Sequence, residues 1–541
     1  MKESSTPMIW TKRTLISIVL FLFAVFVGQD AAYLLMLTVA QVVYVPLILQ
    51  MIVEKKDWFS RYYSYFSIPA TISVILLQLV NDPGWDYFLA GIYLLFTFIV
   101  AAYGFSRFFT RGFVHFEEFC IDIALLNLAI GGVWFFAHAT NIDTGFSPII
   151  TWLTAIHFHY AAFLLPVFIG LLGRIHQPPL YPLAAGILVI SPMILAIGIT
   201  FSVWIEWISV VLYMIGIYSF IFYALRVPFA HRLQKWMIRL SFGSLGITII
   251  LSFLYAFGRL SKDYSISIDF MLQFHGFFNC VLFALIGIIG WSVYVPQPKT
   301  IKWAFPVSKI RGNMVIGEKI LPKIRQQQDS GSYKGLVDEM AIYEPGIDLN
   351  TLSPAIRDFY ENTLDYRLYA EIKWKNWFKP FAFIYRFFSS FIGQINLPLS
   401  SKRVEMTGDI ISINEKLDGR NLPRAWVRKI NNKVAFVALY SWHNTKDRTY
   451  MNIALPLPWS SMIGILELNQ IGEELQLSSK KSEANSDTGI YLALNKHHFA
   501  LPIEESFQVR ETEDGKLYAQ HNMWIFSLPF LKITYLIIPR D

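Results

Sequence analysis

Residues 149–172 read IITWLTAIHFHYAAFLLPVFIGLL, a run of 24 residues without a single acidic side chain, lysine or arginine. Coiled as a helix at 1.5 Å per residue, this run is about 36 Å long, enough to cross the roughly 30 Å hydrocarbon layer of a bilayer. Similar runs lie on both sides of it. Candidate spans are Leu15–Gly28, Ala31–Val53, Tyr62–Val80, Trp85–Phe105, Phe116–Phe136, Ile149–Leu172, Leu180–Thr200, Val203–Leu225, Trp236–Gly258 and Asp269–Tyr294. The first is short and could instead form a re-entrant hairpin with the second. The fold class expected over residues 1–295 is a membrane all-α bundle of about ten transmembrane helices.

Composition agrees with this reading. Of 541 residues, 54% are hydrophobic and 16% charged, against about 25% charged in soluble domains. The average conceals a split: beyond Pro296 the chain reads like an ordinary soluble sequence. Residues 296–335 are expected to form a basic juxtamembrane linker, and residues 336–541 a strand-rich cytoplasmic domain. The N-terminal run lacks an A-x-A-like cleavage site and leads straight into another apolar run, so it is read as a retained helix. Cys120 and Cys280 both lie inside apolar runs, which argues against a disulfide or a cysteine-based zinc site. The net charge of +7 is no nucleic-acid signature, because the basic residues gather at membrane edges and meet anionic lipid there. Membrane lipids are therefore the expected partner.

Loop charge supports an even helix count. Lys2, Lys12 and Arg13 precede the first span, Lys55, Lys56 and Arg61 fill the second loop, and Arg107 and Arg111 the fourth. The sixth loop has Arg174 and the eighth Arg226, Arg232 and Lys235, whereas among the odd loops only the ninth is basic, with Arg259 and Lys262. Short positive loops stay in the cytoplasm, which puts both termini there.

Ionisable groups inside a span cost roughly 2.5–3.5 kcal/mol each on insertion scales, so each asks for a partner or a purpose. The fifth span holds Glu117, Glu118, Asp122 and Asn127; the sixth holds His157 and His159; the tenth holds His275 and Asn279. Glu118 and Asp122 share a helix face, as do His275 and Asn279. His157 and His159 differ by about 200° and point to nearly opposite sides. Helical rise places His275 and His157 at about 9–12 Å from the outer face, His159, Asn279 and Asn127 near 15 Å, Asp122 near 21 Å and Glu118 near 27 Å. This spread suggests a polar route across the membrane rather than one compact centre. A metal ion, if any is held, would fall to His157 and His275. Against these stand plainer readings: solvation of Glu117 and Glu118 at the boundary, helix-to-helix hydrogen bonding by the histidines, and snorkelling by Glu206 and Arg239.

In the C-terminal half, Lys373–Phe391 interleaves aromatic and basic residues. Lys373, Trp374, Lys375, Trp377, Lys379 and Arg386 suit the membrane interface, with a core helix as the alternative. Strands are expected at Val404–Ile413, Arg424–Ile430, Lys433–Tyr440, Tyr450–Leu455, Ile463–Leu468, Gly489–Leu494, Phe507–Glu511, Leu517–Phe526 and Leu531–Ile538, with Asn431-Asn432 as a hairpin turn. The expected C-terminal class is α+β with a curved antiparallel sheet or half-barrel. His443, His497, His498 and His521 lack metal spacing. No Walker loop, G-x-G-x-x-G after a strand, H-E-x-x-H or G-x-S-x-G occurs, so no catalytic residue and no cofactor is expected.

The stretch Thr154–Pro166, with Gln273-Phe-His-Gly-Phe-Phe-Asn279 and its apolar continuation to Trp291, resembles the YndJ-like family of bacterial polytopic membrane proteins. The resemblance implies a bacterial cytoplasmic membrane and an activity that is unassigned. It carries over no catalytic residues. Where the family has Gly in its Tyr-Ala-Gly stretch, this chain has Ala162. Three functions are consistent with these readings. The leading one is transport or handling of a small polar or amphiphilic ligand, or of protons, along His157, His159, His275, Asn279, Asp122, Asn127 and Glu118. The others are a membrane-embedded enzyme acting on lipid, and a lipid sensor whose sheet encloses an amphiphile.

Overall fold

A computed structural model describes residues 12–28, 33–54, 57–80, 83–113, 115–262, 266–298, 305–325, 333–481, 483, 486–494 and 497–540. Lys2 and the basic pair Lys55 and Lys56 lie outside them. The chain forms two compact units, Met1–Phe108 with His115–Thr300, and Phe109–Val114 with Ile301–Asp541.

The first unit is helical. Among the described residues nine helices are long and apolar enough to span a bilayer: α2 (Leu35–Ile52), α3 (Trp58–Leu79), α4 (Pro83–Phe109), α5 (Phe116–Ala139), α6 (Pro148–Ile175), α7 (Tyr181–Phe201), α8 (Val203–Arg226), α9 (Arg232–Ser261) and α10 (Ile268–Val293). The preceding helix, α1 (Lys12–Val27), has 16 residues. At 1.5 Å per residue it reaches about 24 Å, short of a full crossing. The expected ten spans therefore become nine and a short apolar helix. Large apolar side chains such as Phe88, Ile190, Trp204 and Ile247 remain exposed around the bundle, as a surface facing acyl chains requires.

Three helices widen locally into π turns, at Ala40–Tyr44 in α2, Tyr160–Leu164 in α6, and Met271–Gly276 and Asn279–Leu285 in α10. The first two run up to Pro46 and Pro166, whose ring nitrogens cannot close an ordinary helical hydrogen bond. The wide turns of α10 contain no proline. They carry His275 and Asn279, and π turns inside α-helices concentrate at functional positions.

The second unit is built on strands β1 (Tyr366–Trp374), β2 (Val404–Ser412), β3 (Asn421–Ile430), β4 (Lys433–Thr445), β5 (Arg448–Leu457), β6 (Ser460–Ile471), β7 (Glu474–Ser478), β8 (Gly489–Leu494), β9 (His497–Ala500), β10 (Ile503–Glu511), β11 (Leu517–Ile525) and β12 (Leu528–Pro539). Their pairings are antiparallel. Ten of them close a ring, β1-β2-β3-β4-β5-β6-β7-β10-β11-β12, because β5 pairs with β6 and β12 returns to β1. The β8–β9 hairpin branches from β6. The expected curved sheet is thus a closed barrel-like domain, which leaves the ring no open edge. Asn431 and Asn432 take positive φ, 50° and 61°, and join β3 to β4 as the sequence predicts.

All ten ring strands send side chains to one cluster, among them Ala370, Met406, Trp426, Tyr440, Met451, Leu466, Leu477, Val509, Ala519 and Tyr535. Met340 and Tyr343, together with Ile356, Phe359 and Tyr360 around α11 (Pro354–Glu361), complete it. A ring whose strands share one apolar cluster has a filled interior. This counts against the reading in which the sheet encloses an amphiphile. The described part of the expected linker is also folded: Ile310, Ile316, Ile320 and Ile324 pack with Val427, Val437, Ile463 and Tyr491 in a second cluster.

Candidate functional site

Seven residues of the helical unit are expected along one route, and the structure distributes them among separate sets. Glu118 and Asp122 belong to an ion-pair network. Arg107 of α4 donates through Nη2 to Glu118 (2.7 Å) and through Nε to Asp122 (2.7 Å). Arg174 of α6 donates through Nε and Nη2 to Glu118, at 2.6 and 2.8 Å. Each arginine also caps a backbone carbonyl, Arg107 that of Ile52 and Arg174 that of Pro296. These guanidinium groups meet the carboxylates in a region where Arg107, Glu118, Asp122 and Arg174 are 4%, 0%, 1% and 7% exposed. Loop charge assigns Arg107 and Arg174 to cytoplasmic loops, whereas they lie within α4 and α6, and position alone leaves Glu117 and Glu118 solvated. Burial corrects both. A buried carboxylate pair needs cations, and the fold brings these two arginines to it from 11 and 56 positions away in the chain.

Asn127 has a structural task. Its Nδ2 donates to the carbonyl of Ala162 at 3.2 Å. Ala162 lies four residues before Pro166, which has no N–H to offer it. His159 is fully buried and turned toward α4 and α5. Its Nδ1 bonds the Ala155 carbonyl at 2.8 Å, so Nδ1 carries the hydrogen and Nε2 accepts from the Tyr93 hydroxyl at 2.7 Å. Gly131 lets the ring approach, since a Cβ there would lie 2.9 Å from Nδ1.

His157, His275 and Asn279 come together around a cavity of about 310 Å³ between α6, α7, α8, α9 and α10. It lies where α7 and α9 end and α6, α8 and α10 begin. Its walls are mainly apolar, with Leu153, Leu195, Ile249, Met271 and Phe283 among them. The polar side is organised by hydrogen bonds. The Thr248 hydroxyl donates to Asn279 Oδ1 at 2.8 Å, and Asn279 Nδ2 donates to His275 Nε2 at 3.1 Å. His275 Nδ1–H then returns to the Thr248 carbonyl at 3.0 Å. This cycle fixes the tautomer, because a carbonyl can only accept.

His157 bonds the Leu153 carbonyl through Nδ1 at 2.6 Å. Its Nε2 is therefore an acceptor, and it has no hydrogen-bond donor among the described residues. The ring is exposed to the cavity. At the rim, Arg259 Nη1 reaches both oxygens of Glu206, at 3.0 and 2.8 Å. Sequence position assigns Glu206 to snorkelling; in the folded chain it is 3% exposed and paired.

The cavity can hold an apolar body and present a hydrogen-bond acceptor, His157 Nε2, to a donor on its polar end. No group of three or more His, Cys, Asp or Glu suited to a metal ion occurs among the described residues. Ser252, Thr248 and the Glu206–Arg259 pair join the site, although sequence reasoning omits them. The i, i+4 spacing of Thr248 and Ser252 on one face of α9 is the signal that could have found the first two.

Comparison with known proteins places the chain. A family model described as "YndJ-like protein" matches residues 35–283. The protein named "Uncharacterized membrane protein YndJ" of Bacillus subtilis (strain 168) is 37% identical over 473 residues, covering 86% of this chain and 86% of that one. No solved structure matches. The shared length takes in much of both units, and the matched model covers α2 through most of α10, including the cavity. With nine candidate spans and a relative of this similarity over most of its length, the chain belongs to the YndJ-like family of multi-pass membrane proteins.

Proposed function

We propose that the helical unit binds a small amphiphilic molecule within the membrane and hands it on, as a carrier or a ligand-handling protein. The molecule carries a hydrogen-bond donor, such as a hydroxyl or an amine, on an apolar body. One observation carries this reading: His157, His275 and Asn279, from two helices far apart in sequence, meet in a mainly apolar cavity. Small-molecule sites have this character, with a few placed polar groups in an apolar wall. Ion pairing at Glu206 and Arg259 leaves the rim without net charge, which suits a neutral or weakly polar head.

Loop charge supports a cytoplasmic C-terminal unit in a bacterial cytoplasmic membrane, and a cytoplasmic N-terminus as well where α1 completes a crossing ahead of α2. Arg107 and Arg174 are taken up by ion pairs, yet Arg61, Arg111, Arg226, Arg232 and Lys235 still fall in even loops. The cavity then opens toward the outer side, where the α7–α8 and α9–α10 connections lie.

Photolabelling of the full chain in lipid nanodiscs with azi-octanol tests the proposal. Adducts are expected on α6 and α10 near His157, Met271 and Asn279, and excess 1-octanol should suppress them saturably. Adducts confined to outward-facing residues such as Ile250, unaffected by competitor, would remove it.

A further inference from the structure

The barrel unit carries a helix whose amphipathic pattern is turned inside out. In α12 (Lys379–Ile392), Ala382 and Ser389 are buried against the unit and Arg386 and Ile392 are half-buried, while Phe381, Phe383, Ile384, Phe387, Phe388 and Phe391 face outward. Phe383 and Phe387 are 70% and 78% exposed. A helix on the surface of a soluble domain shows the reverse arrangement.

This face is held out rigidly. Trp374, at the end of β1, donates from Nε1 to the Pro398 carbonyl at 3.0 Å and stacks on Phe378. Trp377 donates to the Pro529 carbonyl at 2.9 Å, and Arg386 to that of Leu397 at 2.6 Å. Trp374 and Arg386, read from sequence as interface residues, therefore act as supports. Beside the helix base, the β11–β12 turn exposes Phe526 and Leu528, extending the apolar surface.

Charge names what covers it. From Ile372 to Val404 the chain has six basic residues, Lys373, Lys375, Lys379, Arg386, Lys402 and Arg403, and no acidic one. Lys373 and Lys532 stand opposite each other on β1 and β12, and Glu371 is the carboxylate paired with Lys373. Aromatic side chains bordered by lysines match a layer of acyl chains beneath anionic headgroups.

We infer that α12 lies in the interface of an anionic bilayer, with Phe383, Phe387, Phe388 and Phe391 among the acyl chains and Lys373, Lys375 and Lys379 on the phosphates. The barrel unit is then a peripheral membrane module as well as a tethered one, which is independent of what the helical cavity binds.

The test uses the full chain in vesicles of equal parts phosphatidylglycerol and phosphatidylcholine. Single cysteines F383C, F387C and D514C carry a bimane label; Cys120 and Cys280 are buried. Asp514 lies in the turn between β10 and β11, at the far end of the same strands and about 30 Å away along a nine-residue strand. Doxyl-labelled phosphatidylcholine should quench positions 383 and 387 severalfold more than 514. Loss of this excess in all-phosphatidylcholine vesicles, or in K373E/K375E/K379E, is the expected sign of headgroup binding. Equal quenching at 383, 387 and 514 would overturn the inference. So would efficient F387C–F387C cross-linking that ignores lipid composition, since a second copy would then cover the face.

Discussion

Glu118→Gln should destabilise the helical unit by about 3–5 kcal/mol, the usual cost of removing one partner from a buried ion pair. Glu118 accepts from both Arg107 and Arg174 and so joins α4, α5 and α6. A neutral amide there withdraws the negative charge that Arg107 and Arg174 both face. In a low-dielectric region the surplus charge has no water to retreat to. Unfolding of the purified full chain in mixed micelles, followed by denaturant titration, reads the loss. Combining Glu118→Leu with Arg174→Met should recover part of it, because removing both charges together avoids the stranded cation. Equal loss in the double variant would show that shape, rather than charge balance, matters at this position.

A comparable loss, again about 3–5 kcal/mol, is expected for Asp418→Ala in the barrel unit. Arg420 and Asp418 are fully buried and paired at 2.6 Å. Arg420 Nη1 also donates to the carbonyl and Oδ1 of Asn452, and Nη2 to the Leu439 carbonyl. Asp418 further accepts from the Ser308 hydroxyl at 2.7 Å, tying in the segment ahead of the barrel. Removing the carboxylate leaves a buried guanidinium with neutral acceptors alone. Asp514→Asn is the contrast. Hydrogen bonds from Lys516 and Thr512 lower the Asp514 carboxyl to about 2. The group is nonetheless in a solvated turn, where screening leaves such pairs little weight, and no measurable loss is expected. Thermal denaturation of the three proteins side by side checks both expectations.

The helical bundle was legible because bilayer thickness acts directly on sequence: a run such as residues 149–172 has few other uses. The opposed directions of His157 and His159 and the shared face of His275 and Asn279 followed from helical spacing in the same way. Pairing across helices was not legible. Nothing local tells that Arg107 and Arg174 fold back onto Glu118, since the contact joins residues 11 and 56 positions apart. The ring was missed for a similar reason. Closure depends on β12 returning to β1, and β1 lay partly inside the segment read as interfacial. Its alternation of Tyr366, Leu368, Ala370 and Ile372 toward the core was the available signal. The strong aromatic–basic pattern that begins at Lys373 masked it.

Alkylation in the cavity wall tests the central claim most directly. In M271C a thiol stands in the apolar wall while His157, His275 and Asn279 are kept, and N-ethylmaleimide should modify it in the full chain in nanodiscs. With 1-octanol at ten times its dissociation constant, the rate should fall about tenfold, in proportion to the unoccupied fraction. Ile250→Cys, on an outward-facing position of α9, should react at the same rate with or without the alcohol. A thiol at 271 that octanol never protects would contradict the account.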